Sequence, residues 1–268
     1  TKKLLPLKKP NSMFDVPTLD ALRKLLLFHA DDHLIMGHRN SEWTGLGPIL
    51  EEDIAFSSIA QDKIGHALGL YSILHEELGE ADPDTLAFVR NEADFTSCQL
   101  VELPIGEYDF SLMRHLLFDL AALVRFEDFS LSAYDPLAKL ARKVKGEIKY
   151  HVFHAATFVK QLGRGNEESK ARMQTSINES IGLALGLFEG FEGEDLLVQN
   201  GIYKGEAVLQ RFWLGELQAV LIDADLKMPD LQVVHPVYGG RKGYHTAYLQ
   251  PLLDEMTEVF RVDPAAEW

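Results

Sequence analysis

Apolar residues recur at three- and four-residue spacing through long blocks of this 268-residue chain, and strand-like alternation is nearly absent. That pattern predicts helices long enough to pack side by side, and little else. The first block opens near Thr18, a candidate N-cap, and runs through Leu25, Leu26, His29, His33 and Met36 until Gly37 and the Ser41–Gly45 loop end it. Pro48 suits the first turn of a second helix, with Glu51, Glu52 and Asp53 at its positive end and Gly79 at its close. Pro83 starts a short helical piece, and residues 102–108 form a loop. Ser111 is the expected cap of a third long helix to about Ser132, and Asp135-Pro136 opens a fourth that reaches Gly163. Helices from about Glu167 to Phe191, Glu206 to Leu226 and Thr246 to Phe260 follow. Gly182 and Gly186 would let another helix approach closely, and Val234–Gly243 reads as a glycine-rich loop. No composition shift marks a linker. The expectation is one all-α domain over residues 1–268, a four-helix core at about 18–163 with added helices at about 167–262.

Composition narrows the function classes. The net charge of −15 disfavours a nucleic-acid partner, and 46% hydrophobic with 25% charged residues belongs to a globular chain. Cys98 is the one cysteine, so neither an internal disulfide nor a thiolate metal cluster can form. Thr1 to Pro10 is basic without a signal-peptide apolar stretch, and no uncharged run would span a bilayer; the expected setting is the cytoplasm, away from the membrane. Hydrolase elbows, Walker loops and dinucleotide fingerprints are missing.

The chemistry-bearing pattern lies on the four long helices. In two-metal bundles two helices each give a carboxylate and two others each give Glu-x-x-His, because i, i+3 spacing turns both ligands to one helical face. Here Lys63-x-x-His66 and Ile148-x-x-His151 occupy the paired positions, with lysine and isoleucine where glutamates would stand. His33 precedes Lys63 by 30 residues and Asp119 precedes Ile148 by 29, so each hairpin presents a polar position on its first helix and a histidine on its second. Of the six positions, His33, Lys63, His66, Asp119, Ile148 and His151, only His66, Asp119 and His151 are of the expected type. Lys63 brings positive charge where cations would sit. It is expected to pair with Asp119 or Glu147 in a polar core network with the two histidines. The competing reading takes His66, Asp119 and His151 as a two-histidine, one-carboxylate iron site of an oxidoreductase, with Glu147 swinging inward.

Several segments resemble a known family. Gln61-Asp62 with Gly65-His66 resembles the Gln-Asp-Glu-x-Gly-His of the catalytic subunit of the bacterial phenylacetyl-coenzyme A ring epoxidase. Gly37–Trp43, Leu100–Gly106 and Gly239–Thr246 followed by Leu252–Met256 resemble its structural, C-type paralogue more closely, and together with Glu147–His151 and Arg172–Gln174 they cover most of the chain from about residue 20. The resemblance implies a ferritin-like, non-catalytic subunit with most metal ligands lost. It would pair with a di-iron catalytic homologue and the other epoxidase subunits, and hold no cofactor itself; iron in this chain is the alternative. The complex would epoxidise the ring of phenylacetyl-coenzyme A with oxygen and NADPH-derived electrons in aerobic phenylacetate degradation. A homodimer in the partner's absence stays open.

Other residues have simpler expected roles. Trp43 reads as packing at the bundle end rather than a partner anchor. Arg39, Arg241 and Lys242 suit phosphate, as of coenzyme A, yet a conformational role for the Gly239–Thr246 loop is the better reading. His245-Thr246 resembles an N-cap region, and Tyr134 and Tyr150 are candidate core hydrogen-bond donors.

Overall fold

A computed structural model describes residues 14–263, which leaves the basic Thr1–Pro10 segment outside the described residues. Helix α1 (Val16–Ser41) begins earlier than expected because Asp15, not Thr18, is the cap: its carboxylate accepts the Thr18 N–H at 3.0 Å. Gly37 does not end it. A Cβ there would lie 2.9 Å from Ile64 Cγ1 and 3.2 Å from the Ala60 carbonyl, so the glycine is where α2 (Leu50–Leu78) crosses closest. Helix α2 ends at left-handed Gly79, as the sequence suggests, but starts two residues past Pro48.

The short α3 (Pro83–Phe88), capped by Asp82, and α4 (Gln99–Glu102) lead to α5 (Tyr108–Phe129). Ser111 lies inside α5 rather than at its cap, and its hydroxyl donates to the Ile105 carbonyl at 2.6 Å, tying the preceding loop down. Helix α6 (Asp135–Gly163) has the predicted bounds. Helix α7 (Glu167–Leu185) stops short of Phe191 in a 3-10 turn at Gly186–Phe188; α8 (Glu194–Gln199), which periodicity did not reveal, precedes α9 (Glu206–Asp223) and α10 (Leu249–Thr257). No strand occurs among the described residues, and no helix among them is long and apolar enough to cross a membrane.

The architecture is an all-α, ferritin-like bundle of two antiparallel hairpins, α1–α2 and α5–α6, joined across the core where α2 meets α6. Helices α4 and α8 lie against α1, and α7 and α9 against α5 and α6. Accordingly α1 and α5 are buried almost all round, whereas α2 and α6 bury one side only. What approaches Gly182 and Gly186 is not a helix but the chain at 235–237: a Cβ on Gly186 would sit 2.3 Å from the Val237 carbonyl, and Val237 N–H donates to Gly182.

The glycine-rich loop is held from inside. Arg241 is buried, donating to both Asp32 carboxylate oxygens at 2.8 and 2.7 Å, and Lys242 lies 3.4 Å from Glu189. Arg39 likewise donates to the Glu102 carbonyl, and His245 rests on the Glu102 carboxylate at 2.6 Å. These cations are engaged with the protein's own carboxylates and carbonyls, which supports the conformational role over a phosphate site.

Candidate functional site

The six positions singled out by spacing converge in the bundle centre, all of them buried. Lys63, from α2, places its Nζ 2.5 Å from Asp119 Oδ1 of α5 and 4.5 Å from the centre of the Phe118 ring. Asp119 is also met by His115 Nδ1 at 2.6 Å, one turn earlier on the same helix, and by His151 Nδ1 at 3.4 Å. Burial alone pushes the Asp119 carboxyl up. The Lys63 ammonium, His115 and His151 outweigh it and hold the acid well below the ordinary carboxylate range. Burial pulls Lys63 down from its usual value, opposed chiefly by Asp119, and the ion pair is the state in which each charge offsets the other.

The Nε2 atoms of the two second-helix histidines turn outward from this pair. His66 Nε2 lies 2.8 Å from Glu147 of α6, and His151 Nε2 lies 3.0 Å from Asp62 of α2. Each helix therefore supplies a carboxylate four residues before its histidine, and each carboxylate holds the other helix's ring. Burial, helped by the Lys63 charge and by His151, pulls His66 down to about 3, so its imidazole is neutral near pH 7 and Nε2–H donates to Glu147. Burial also takes His115 down to about 4 despite Asp119 beside it. Glu147, partly exposed, is raised by burial and by the neighbouring Asp62.

His33 does not join a hydrogen-bond network. Its ring packs edge-on against His66 at 5.2 Å, Phe118 at 5.1 Å and Phe126 at 5.5 Å, and burial holds it neutral, well below its ordinary value. Ile148 fills its position with apolar bulk. Tyr134 is buried in the core, but its hydroxyl meets no hydrogen-bond partner among the described residues, and Tyr150 is on the outside of α6, since it lies two residues past Ile148 on a helix whose inner face carries Ile148 and His151.

Sequence reading missed a second polar group towards the bundle end. Glu52 of α2 is buried and accepts from Tyr108 Oη at 2.7 Å and contacts His154 Nε2 at 2.8 Å, with Phe56 and Trp43 packed around it. The signal was present: eleven residues separate Glu52 from Lys63, three full helical turns on one face, and His154 follows His151 by three. His115, four before Asp119, was legible by the same rule. Trp43 is buried against Phe56 and Tyr108, a packing residue.

The donor set does not fit a pair of divalent cations. Such a centre needs carboxylates to balance its charge, whereas the six positions offer one, and that one is already neutralised by an ammonium. Among the described residues no group of three or more histidine, cysteine, aspartate or glutamate side chains is arranged to hold a metal. What the arrangement can do is hold α2, α5 and α6 in register through charge and hydrogen bonding, with α1 joined to them by the ring packing of His33.

Two comparisons bear on this geometry. The family described as phenylacetic acid catabolic protein matches residues 9–268. The chain is 34% identical over 238 residues to the C-type subunit of the 1,2-phenylacetyl-CoA epoxidase of Escherichia coli (strain K12), covering 89% of this chain and 95% of that protein. A ferritin-like bundle with a lysine and an isoleucine in its ligand positions, matched over nearly its whole length by one family, thus belongs to the phenylacetic acid catabolic protein family.

Proposed function

We propose that this chain is the non-catalytic, C-type subunit of a phenylacetyl-CoA epoxidase, acting in phenylacetate breakdown in the cytoplasm. It folds as a single ferritin-like unit that carries no metal and supports a di-iron catalytic homologue. The observation that carries this is the Lys63–Asp119 pair: an ammonium stands where cations would be and consumes the charge of the one carboxylate left at the ligand positions. The likeness to a protein named as an epoxidase subunit supplies the reaction and the expectation of other subunits.

The rival reading makes this chain an iron-dependent oxidoreductase through His66, Asp119 and His151. Against it stand the Nε2 atoms of both histidines, which are engaged with Glu147 and Asp62, and the Lys63 ammonium on the Asp119 oxygen that His151 Nδ1 also faces. The deciding experiment combines this chain with its catalytic homologue and reductase and follows oxygen-dependent consumption of phenylacetyl-CoA. Turnover is expected to need both subunits and to survive His66→Ala and His151→Ala here, provided the variants still join the complex. Loss of turnover in an intact complex, with the partner's iron unchanged, would favour the rival.

A further inference from the structure

The glycine-rich loop and the strap that follows it are fixed by three cations in succession, and one of the three is a histidine. Arg241 donates to both oxygens of buried Asp32 on α1, and Lys242 reaches Glu189. His245 rests on Glu102 of α4, and the two side chains are 1% and 0% exposed, out of reach of water. A guanidinium keeps its proton in proteins, whereas an imidazolium can shed one near physiological pH. The two buried anchors of the strap therefore differ in kind.

Both ring nitrogens of His245 face acceptors. Nδ1 lies 2.6 Å from Glu102 Oε1, and Nε2 lies 2.9 Å from the Phe95 carbonyl oxygen. A neutral imidazole has one N–H and one lone pair and can satisfy only one of them; the imidazolium satisfies both. Glu102 is furnished as an acceptor on both oxygens, since Oε1 also takes the Ser97 hydroxyl at 3.0 Å and Oε2 the Thr246 N–H at 2.7 Å. The other charges near the ring favour the same state. Glu92, on the 3-10 turn Glu92–Asp94, adds negative charge. Arg39 of α1 is taken up by the Glu102 and Tyr248 carbonyls and by Glu42, and Arg90, stacked on the Phe95 ring, by Asp31. Burial pulls His245 down, but Glu102, the Phe95 carbonyl and Glu92 outweigh it and hold the ring above its ordinary value of 6.5.

Loss of the proton would leave a lone pair against either the Glu102 carboxylate or the Phe95 carbonyl, in a place where no water can take over the bond. The chain beyond it has lighter fastenings: Gln99 donates to the Tyr244 carbonyl at 2.8 Å, and α10 packs on α3 and the Glu92–Asp94 turn. We infer that His245 is a proton-operated catch on the C-terminal strap: protonated, it fastens residues 243–257 to α4, and its deprotonation at higher pH releases them while Arg241 keeps the strap anchored to α1. Because the folded chain holds this proton more tightly than the unfolded one, the catch is complete below pH 6.5 and is lost as pH rises through the raised value of the folded state. The device is independent of the subunit reading.

The test follows the full-length chain from about pH 5 to about pH 9 by two readouts. One is the titration of His245, seen by NMR of histidine-labelled protein and assigned with His245→Gln. The other is hydrogen-exchange protection of each segment relative to an unstructured chain at the same pH. His245 is expected to titrate above 6.5, and protection over residues 243–257 to fall tenfold for each unit by which it does so, while residues 237–241 keep theirs. Glu102→Gln is expected to bring the ring back to 6.5 or lower and to abolish the alkaline loss. His245→Gln should leave protection of the same segment low and independent of pH. If Glu102→Gln does not fold, the parent alone decides: a His245 that titrates at or below 6.5, or protection that stays constant while it titrates, overturns the proposal. Loss of protection that spreads to α1 and α5 at the same pH also overturns it, since the whole fold and not the catch has then opened.

Discussion

Asp62 and Lys63 are neighbours on one helix, yet they belong to two different kinds of polar contact. Lys63 points inward and is sealed with Asp119, both side chains fully buried, so each charge depends on the other. Asp62 points to the flank and holds His151 from a position one-third exposed, as Glu147 holds His66 from one nearly half exposed. Water can stabilise the carboxylates at the flank if their partners leave. No such help reaches the core pair. The inner pair is thus one in which each buried charge offsets the other, and the outer contacts are ties between α2 and α6.

The largest effect should come from separating the inner pair. Lys63→Met leaves Asp119 buried without its ammonium and is expected to cost about 3–5 kcal/mol, read by chemical denaturation. Lys63→Met combined with Asp119→Leu removes both charges and should recover most of that loss. Equal destabilisation in the double variant would mean that the pair is not what fails in the single one.

Acid should act on the same region next. His66 and His115 are held down at about 3 and about 4, against an ordinary value of 6.5, so the unfolded chain binds more protons than the folded one between those limits. Their contribution is complete above pH 6.5 and is lost as pH falls towards 4 and 3. Two such groups cost together about 2 kcal/mol over the first pH unit below 6.5 and approach about 3 kcal/mol per unit below that. For a chain of this size that lowers the melting temperature by roughly 5–10 °C per unit. A melting temperature flat from pH 6.5 to 5 would contradict the buried, neutral rings.

Breaking one outer tie should matter least. Glu147→Gln keeps a hydrogen-bond acceptor for His66 and gives up only a half-exposed charge, so stability should change by about 1 kcal/mol or less. A loss as large as that of Lys63→Met would erase the distinction between core and flank.

Much of this was legible beforehand because helical spacing is strict. His66 and His151, each three residues after Lys63 and Ile148, were bound to share a face with them, and a lysine so placed had to find a carboxylate. Which carboxylate was not legible: Asp119 and Glu147 are both distant in sequence and both on helices of the second hairpin, and only the reach of Lys63 across the core to α5 selects Asp119. The crossed ties were invisible for a similar reason, since each joins residues 81 or 89 positions apart. Ser111 shows the limit of local rules, because its hydroxyl found a carbonyl from the preceding loop instead of capping the helix. The approach of residues 235–237 to Gly182 and Gly186 shows another: a small-residue pair reports that something comes close, not what.

We propose that Lys63 has taken over the role of cations in this bundle. Its most direct test is the iron and manganese content of this chain after it is produced together with its catalytic homologue under metal-replete conditions and then separated from it. Metal is expected with the homologue and less than about one-tenth of an equivalent here, with Lys63→Glu/Ile148→Glu raising that figure by restoring Glu-x-x-His on both helices. A full equivalent of iron in the unmodified chain, lost on His66→Ala or His151→Ala, would contradict it.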